Sequence, residues 1–152
     1  MSTENTGRLF VGIQATLLIA LIALPSSTHW PTPEPLRVLG LVIAIIAVGL
    51  VLVAATDLGA ALTATPVPKP SGELRTDRLY GYVRHPIYSA VLLAVVGATI
   101  RSGNLVTLGV AIALVVFFNV KARWEETKLS ERYGGYAVYA ATTPRFIPRF
   151  WS

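Results

Sequence analysis

The sequence predicts an all-α integral membrane protein, a helical bundle of four transmembrane helices followed by a C-terminal interfacial helix. Of its 152 residues, 53% are hydrophobic and 14% are charged, whereas a typical soluble domain has about 25% charged residues. Four long apolar runs lack Asp, Glu, Lys and Arg. The length predicts a single domain, 1–152. The absence of cysteine excludes a disulfide framework and a cysteine-ligated metal site.

The apolar runs differ in whether they are long enough to cross a bilayer alone. About 20 residues are needed to span the hydrocarbon. The second run is long enough, and the others take in flanking residues, with Asn119 and Lys121 marking the exit of the fourth. The runs are 9–24, 38–55, 87–100 and 105–120, and the predicted spans are about 9–24, 36–56, 86–100 and 104–121.

Two of these runs also have an alternative interpretation. The first run follows Arg8 and precedes Ser26 and Ser27, a pattern that a cleaved signal peptide shares. The third run has 14 residues, which is the length of a buried or re-entrant segment as well as of a short span. Counting the third run as a span gives four spans and a sharp asymmetry in the distribution of positive charge.

Positive residues predict the orientation of the four spans. Eleven of the thirteen Lys and Arg residues lie in the N-terminal tail, the loop 57–85 or the C-terminal tail, and only Arg37 and Arg101 lie on the opposite side. The positive-inside rule therefore predicts an inner (plasma) membrane protein with both termini cytoplasmic. This distribution explains the positive net charge without a nucleic-acid partner.

The two loops on either side of the second span are rich in proline. The outer loop carries Pro25, Pro31, Pro33 and Pro35, a density that favours extended backbone. On the cytoplasmic side the second helix is predicted to continue to Ala64, after which the Pro-rich stretch 65–72 must leave the helix.

A polar cluster begins the third span. Pro86 suits the first helical position, so His85 takes the N-cap position. The free N–H groups of the first turn, near Ile87 and Tyr88, then form a potential anion site to which Arg84 adds a positive charge. Taken singly, these residues are equally typical of any membrane-span boundary.

A second polar cluster follows the fourth span. Nothing before Gly134 prevents the helix from continuing out of the membrane, which places Glu125 and Glu126 one to two turns beyond Asn119. The few residues between the third and fourth spans predict antiparallel neighbours. The acidic pair should therefore lie beside Arg84, in a cytoplasmic region made of 72–88 and 121–150. The alternative is a solvated face on which the acidic pair contacts nearby Lys and Arg.

The motifs, taken in order, resemble those of the isoprenylcysteine carboxyl methyltransferase family, including its short bacterial members, and of the related phospholipid methyltransferases. The match covers roughly the C-terminal half, and it departs from the usual pattern at Ser89 and Gly135, where members often carry Gly and an acidic residue. The motifs are Arg84-His85-Pro86-x-Tyr88, Glu125-Glu126-x-x-Leu129, Tyr133-Gly134-x-Tyr136-x-x-Tyr139 and Pro144-Arg145-Phe146-Ile147-Pro148.

The resemblance implies a membrane methyltransferase that binds S-adenosylmethionine on the cytoplasmic side. The sequence has no Gly-x-Gly-x-x-Gly loop, so a Rossmann-type methyltransferase fold is excluded. The resemblance assigns cofactor contacts to Arg84, His85, Pro86, Tyr88, Glu125, Glu126, Tyr136 and Pro148. The resemblance also implies that the pocket is closed by Tyr133, Tyr136, Tyr139 and the strip 144–148. Tyrosines with this spacing also occur on interfacial helices.

The chemistry of the acceptor decides which residues act. Methyl transfer is an in-line displacement, so positioning and exclusion of water should dominate. A carboxylate acceptor needs only an orienting cation, Arg123 or Arg145, whereas an amine or thiol needs a proton acceptor, for which Glu125, Glu126 and His85 are available. The catalytic prediction is Arg123 and Glu126. His85→Ala and Glu126→Ala should weaken cofactor binding more than thermal stability.

Two other functions fit the sequence less well. One is a small four-helix transporter or assembly protein without catalysis, although the apolar runs lack the mid-membrane ionisable residue typical of transporters. The other is a sterol-type membrane reductase with a nicotinamide cofactor. The expected partners are membrane lipids and a lipophilic or small-molecule methyl acceptor, with no metal, no nucleic acid and no indicated protein partner.

Overall fold

The structure is a computed structural model that describes residues 2–23, 29–63 and 73–149. The elements in these ranges are helical, as the sequence predicts, and they contain no strand. A 3₁₀ turn, Gly59–Ala61, follows the second helix. The helices are α1 Thr3–Ala23, α2 Glu34–Leu58, α3 Leu79–Tyr82, α4 Pro86–Ser102, α5 Leu105–Arg132 and α6 Tyr136–Thr142.

Within these ranges, three helices are long and apolar enough to cross a membrane: α1, α2 and α5. The helix α4 is apolar but has only 17 residues, so the third run of the sequence forms the shortest of the four apolar helices. The fold is thus an all-helical membrane fold, with the short helix α6 near its C-terminal end.

The turn between α4 and α5 contains only Gly103 and Asn104. Gly103 ends α4 in the left-handed conformation, with φ of 57°, which glycine adopts without steric cost. The Asn104 side chain caps α5 by accepting a hydrogen bond of 2.7 Å from the Thr107 backbone N–H. This short connection makes α4 and α5 antiparallel neighbours, as the sequence predicts. The helix α5 continues beyond its apolar part to Arg132.

The helices α2 and α4 approach each other backbone to backbone. A Cβ atom added at Gly97 would lie 2.6 Å from the carbonyl oxygen of Gly40, and one added at Gly40 would lie 2.6 Å from the carbonyl oxygen of Gly97. Small residues allow this kind of contact between membrane helices. The α2–α4 pair therefore forms the tightly packed unit that carries the start of α4.

The apolar core lies between α4 and α5. Val95, Leu114, Phe117 and Phe118 are buried there, and side chains of α1, including Phe10 and Leu17, pack against them. Lys121 is also buried, with 4% of its surface exposed. The sequence places Lys121 at the exit of the fourth span, but its side chain instead turns inward and binds Gln14 of α1.

The outer connection between α1 and α2 is anchored on the α4–α5 turn. The Trp30 backbone N–H donates a 2.7 Å hydrogen bond to the Gly103 carbonyl oxygen. At its C-terminal end α2 stops at Leu58 and a single 3₁₀ turn follows, so the helix ends earlier than the predicted continuation to Ala64. The serines of the signal-peptide alternative, Ala64 itself and the Pro-rich stretch 65–72 lie outside the described residues.

Candidate functional site

The start of α4 is bound to the strip 144–146, which lies along it. The backbone N–H groups of Arg84 and His85 donate to the carbonyl oxygens of Pro144 and Arg145, at 2.9 and 3.1 Å. The Ser89 hydroxyl donates to the Phe146 carbonyl oxygen at 2.8 Å. Ser89, a departure from the usual motif, thus adds a bond that glycine could not make. The strip therefore binds the two residues that precede α4 and the first turn of that helix.

Glu126 is the centre of a mostly buried ionic cluster. Its Oε1 accepts hydrogen bonds from Arg84 Nε at 3.1 Å and Arg145 Nε at 2.9 Å, and its Oε2 accepts from an Arg145 terminal nitrogen at 2.6 Å. The His85 Nε2 lies 3.1 Å from Oε1, and only 14% of the Glu126 side chain is exposed. Both oxygens are therefore fully engaged in holding α4, α5 and the strip together.

The two arginines of this cluster are also committed to the protein. Arg84 donates from one terminal nitrogen to the carbonyl oxygens of Ala140 and Thr143, at 2.7 and 2.6 Å, which ties α6 to the start of α4. The hydrogen bonds to Glu126 raise the pKa of the Arg145 guanidinium. Arg145 is therefore held as a fixed cation of the cluster.

Glu125 has a different environment, although it adjoins Glu126 in sequence. Its Oε2 accepts a 2.8 Å hydrogen bond from the Tyr88 hydroxyl and lies 3.7 Å from His85 Nδ1. Its Oε1 receives no hydrogen bond from any residue in the described ranges, and 24% of the side chain is exposed. Tyr88 is held in place by stacking on His85, with ring centroids 5.2 Å apart and planes 4° apart. Of the two carboxylates, Glu125 is thus the one with an oxygen available to a ligand.

Two tyrosines of the third motif, Tyr136 and Tyr139, are packed inside the protein and against each other. Tyr136 is 2% exposed, and its hydroxyl has no hydrogen-bond partner among the residues that the structure describes. Tyr139 is buried and donates a 2.6 Å hydrogen bond to the Tyr80 carbonyl oxygen. Burial raises the pKa of Tyr139 to about 12 and that of Tyr136 above its ordinary range. Both hydroxyls therefore stay protonated donors at neutral pH, and neither ring is simply an exposed interfacial aromatic.

The other predicted site residues lie at the edges of this arrangement. Pro86 is the buried first residue of α4, and Pro148 is half-buried beyond the strip. Arg123 is exposed on α5 and takes part in no hydrogen bond or ion pair between side chains of the described chain. The structure therefore brings together Arg84, His85, Pro86, Tyr88, Glu125, Glu126 and Tyr136, and it leaves Arg123 outside the cluster.

Sequence reasoning missed three buried polar side chains near the site. Asp57 accepts a 3.0 Å hydrogen bond from Arg78, but its Oδ2 is buried and has no partner in the described part of the chain. Tyr80 is buried against the inner end of α2, and Lys121 is buried beside Tyr88. For Asp57 and Lys121 the available signal is a charged residue just after the second and the fourth apolar run, which is equally typical of a membrane boundary. The parts of the chain that the structure covers contain no group of three or more His, Cys, Asp or Glu side chains placed to hold a metal ion.

The profile of the phospholipid methyltransferase family matches residues 36–135. The chain is 36% identical over 77 residues to a protein-S-isoprenylcysteine O-methyltransferase of Schizosaccharomyces pombe, covering 49% of this chain and 33% of that protein. It is 32% identical over 82 residues to the cobalt-zinc-cadmium resistance protein CzcN of Cupriavidus metallidurans, covering 53% of this chain and 38% of that protein.

The fold is similar to a solved structure of the eukaryotic intramembrane Ras methyltransferase, isoprenylcysteine carboxyl methyltransferase. The TM-score is 0.68 at 23% sequence identity, covering 95% of this chain and 50% of the solved one. The chain spans between a third and two fifths of the length of the two curated relatives. The family profile covers well over half of the chain and includes the clusters at Arg84 and Glu125, so the chain belongs to the phospholipid methyltransferase family.

Proposed function

We propose that this protein is a membrane-embedded methyltransferase that takes its methyl group from S-adenosylmethionine at the cytoplasmic face of an inner (plasma) membrane. The acceptor is a lipophilic or small molecule that reaches the site from the bilayer. One observation carries this proposal: the motif at the start of α4 meets the acidic pair on α5, and Glu125 keeps one carboxylate oxygen uncommitted there. Both termini lie in the cytoplasm, as the distribution of Lys and Arg favours.

The side chains at this end of the bundle fit the cofactor chemically. S-adenosylmethionine supplies an electrophilic methyl group on a sulfonium, and it also carries an ammonium and ribose hydroxyls. Glu125 Oε1 is an acceptor suited to such N–H or O–H donors. The buried Tyr136 hydroxyl lacks a partner, although buried polar groups are nearly always hydrogen-bonded. A polar ligand that hydrogen-bonds to both Glu125 Oε1 and the Tyr136 hydroxyl would supply the missing partners.

The contacts also suggest a separate role for each of these residues. Glu126 has both oxygens engaged by arginine, so we assign it the role of holding the site in shape, in place of the catalytic role that its position in the sequence suggests. Glu125 is then the proton acceptor available to an amine or thiol acceptor, since its second oxygen is uncommitted. Arg123 remains the exposed cation that could orient a carboxylate at the aqueous edge.

Binding of S-adenosylhomocysteine to the purified full chain tests the proposed function. We expect saturable binding by calorimetry in detergent or nanodiscs, with no binding of NADPH under the same conditions. Membranes containing the chain should also transfer an isotopically labelled methyl group to an extractable lipophilic product. Binding of NADPH without binding of S-adenosylhomocysteine would favour a reductase, and binding of neither would remove the basis for a nucleotide-dependent enzyme.

Glu125→Gln should weaken binding of S-adenosylhomocysteine by about tenfold, because it removes the negative charge that would accept from the ligand's ammonium or hydroxyl. The measurement is the dissociation constant by calorimetry. Glu131→Gln is the matched control, since Glu131 lies on the same helix, away from the cluster, and accepts a 2.8 Å hydrogen bond from the neighbouring Lys128. Equal affinities for the Glu125 variant and the unmodified chain would exclude Glu125 as a ligand contact.

Tyr136→Phe should separate binding from stability. A buried hydroxyl without a partner costs about 1–3 kcal/mol, so the variant should be at least as stable as the unmodified chain when no ligand is bound. Its affinity for S-adenosylhomocysteine should fall if the hydroxyl contacts the ligand. Tyr139→Phe is the contrasting variant, because it removes a real hydrogen bond to Tyr80 and should lower the melting temperature. A melting temperature that falls equally in both variants would contradict this assignment.

A further inference from the structure

Lys121 is a buried cation that the proposed reaction does not yet use. It lies on α5 with 4% of its surface exposed. Its ammonium donates a 2.5 Å hydrogen bond to Gln14 Oε1 on α1 and lies 5.0 Å from the centroid of the Tyr88 ring. Two of its three N–H donors have no acceptor within the described residues. Gln14 thus fixes the position of the ammonium but leaves most of its hydrogen-bonding capacity open.

The charge of Lys121 also lacks a counter-charge in direct contact. Within the ranges that the structure describes, no carboxylate oxygen lies within 4.0 Å of its ammonium. Glu125 is one turn further along α5, and its bonded oxygen is taken by Tyr88. The Tyr88 ring face stabilises a cation by only a few kcal/mol at most. A buried charge is costly unless it is paired and hydrogen-bonded, so this site is suited to an anion that the chain itself does not supply.

The position of Lys121 joins the polar site to the apolar core. Tyr88 contacts the ammonium on one side and hydrogen-bonds Glu125 through its hydroxyl. The Tyr88 ring also lies 4.9 Å from the buried Phe118 ring. The helix α1 meets α5 here through Phe10, which contacts Trp124 with ring centroids 5.4 Å apart. An anion at Lys121 would therefore have the candidate cofactor site at one end and apolar side chains at the other.

We infer that Lys121, held in position by Gln14, binds the carboxylate of a ligand of this methyltransferase. The inference rests on the proposed function. The carboxylate has two possible sources: the amino-acid end of the cofactor, or the head of an amphiphilic acceptor whose apolar part lies beside α1 and α5. A lysine ammonium pairs with either group through the same charge-assisted hydrogen bonds.

If the carboxylate belongs to the acceptor, methyl transfer to it needs no base. A bond forms between a carboxylate oxygen and the methyl carbon as the bond between that carbon and the sulfonium sulfur breaks. The electron pair of the broken bond stays on sulfur, which becomes a neutral thioether, and no proton is released. Lys121 would then act by orienting the carboxylate, and Glu125 would remain with the cofactor.

The test uses Lys121→Met in the full chain, reconstituted in nanodiscs of zwitterionic phosphatidylcholine. Two pairs of probes differ in whether they carry a carboxylate: S-adenosylhomocysteine against methylthioadenosine, which lacks the whole amino-acid end, and laurate against dodecanol. We expect Lys121→Met to weaken one carboxylate-bearing probe at least tenfold and to leave its neutral counterpart unchanged. If only the affinity for S-adenosylhomocysteine falls, the carboxylate is that of the cofactor. If only the affinity for laurate falls, the carboxylate is that of the acceptor.

Lys128→Met is the control, because Lys128 lies on the same helix and its ion-pair partner within the described ranges is the exposed Glu131. Lys121→Arg should retain most of the preference for the carboxylate-bearing probe, which a purely structural role would not require. Unchanged affinities for both carboxylate probes in Lys121→Met, or equal losses for the charged and neutral members of a pair, would overturn the inference. If the Met variant is not monodisperse, Lys121→Gln is measured in its place.

These outcomes are distinct from failure of the proposed function. An unmodified chain that does not bind S-adenosylhomocysteine contradicts the methyltransferase proposal itself. An unmodified chain that binds it, together with a Lys121→Met variant that binds every probe as tightly, contradicts only the role of Lys121.

Discussion

Glu126→Gln is expected to lower the free energy of unfolding by about 3–5 kcal/mol, the usual cost of removing one partner from a buried ionic cluster. The variant keeps the size of the side chain but removes the charge that balances Arg84 and Arg145. Both guanidiniums bind Glu126 directly, and only 11% and 27% of their side chains are exposed. The substitution therefore leaves two nearly buried cations facing an amide that can no longer neutralise them.

The same variant should release the strip 144–146 from the start of α4. Arg145 ties the strip to α5 through Glu126, and the backbone of the strip accepts hydrogen bonds from the amides of Arg84 and His85. Hydrogen exchange should therefore show loss of protection at these two amides, together with a lower melting temperature. Protection deep in α5, for example at Leu114, should change much less.

Glu131→Gln is the control for charge removal on α5. Glu131 is 58% exposed and pairs with Lys128 one turn away, and such surface pairs contribute about 0–1 kcal/mol. The control should therefore melt close to the unmodified chain. Glu126→Gln could instead have the same melting temperature as this control and a lower affinity for S-adenosylhomocysteine. In that case the sequence-based expectation that Glu126 acts mainly in binding is correct, and the structural role proposed for it is wrong.

The contrast between Glu125 and Glu126 marks the limit of sequence analysis for the site. Adjacent residues on a helix point about 100° apart, so only one of them can face the strip. The sequence places the pair beside the start of α4, because a two-residue turn forces α4 and α5 together. It does not reveal which carboxylate Arg145 binds, since that depends on the path of the chain through α6 to Arg145, 19 positions after Glu126.

Lys121 shows the same limit for the apolar part of the bundle. A lysine at the end of an apolar run is usually an interfacial residue that reaches toward water. Its inward position here depends on Gln14, which is 107 residues away in sequence and is brought close by the packing of α1 on α5. Composition and the apolar runs predicted the all-helical class of membrane fold, because that class follows from local properties. The pairing of distant side chains does not.

The sequence also does not reveal which glycines bring two helices into contact. The four apolar runs of the sequence contain Gly12, Gly40, Gly49, Gly97 and Gly109. An added Cβ would meet nothing within 4 Å at Gly12, Gly49 or Gly109. Glycine occurs commonly in membrane helices, so its presence alone does not identify an interface. Only the structure separates the pair that forms the α2–α4 contact from the three that face open space.

Gly97→Ala should therefore destabilise the fold by about 3 kcal/mol, at the upper end of the usual cost of overpacking. The new methyl group would lie 2.6 Å from the Gly40 carbonyl oxygen and 2.8 Å from the Ala44 backbone nitrogen. Both neighbours are backbone atoms of α2, so the clash cannot be relieved by rotating a side chain. The helices must separate, and α4 carries Arg84 and His85 at its inner end. We expect a lower melting temperature together with weaker binding of S-adenosylhomocysteine.

Gly109→Ala is the matched substitution on α5, where the added methyl group meets nothing within 4 Å. Alanine favours helix over glycine by about 1 kcal/mol, so this variant should melt at or above the temperature of the unmodified chain. Gly40→Ala should behave like Gly97→Ala, because its methyl group would meet the Gly97 carbonyl oxygen from the opposite helix. Equal melting temperatures for the Gly97 and Gly109 variants would mean that α2 and α4 are not in backbone contact. The start of α4 would then need another support, because α2 is the helix against which α4 packs most extensively.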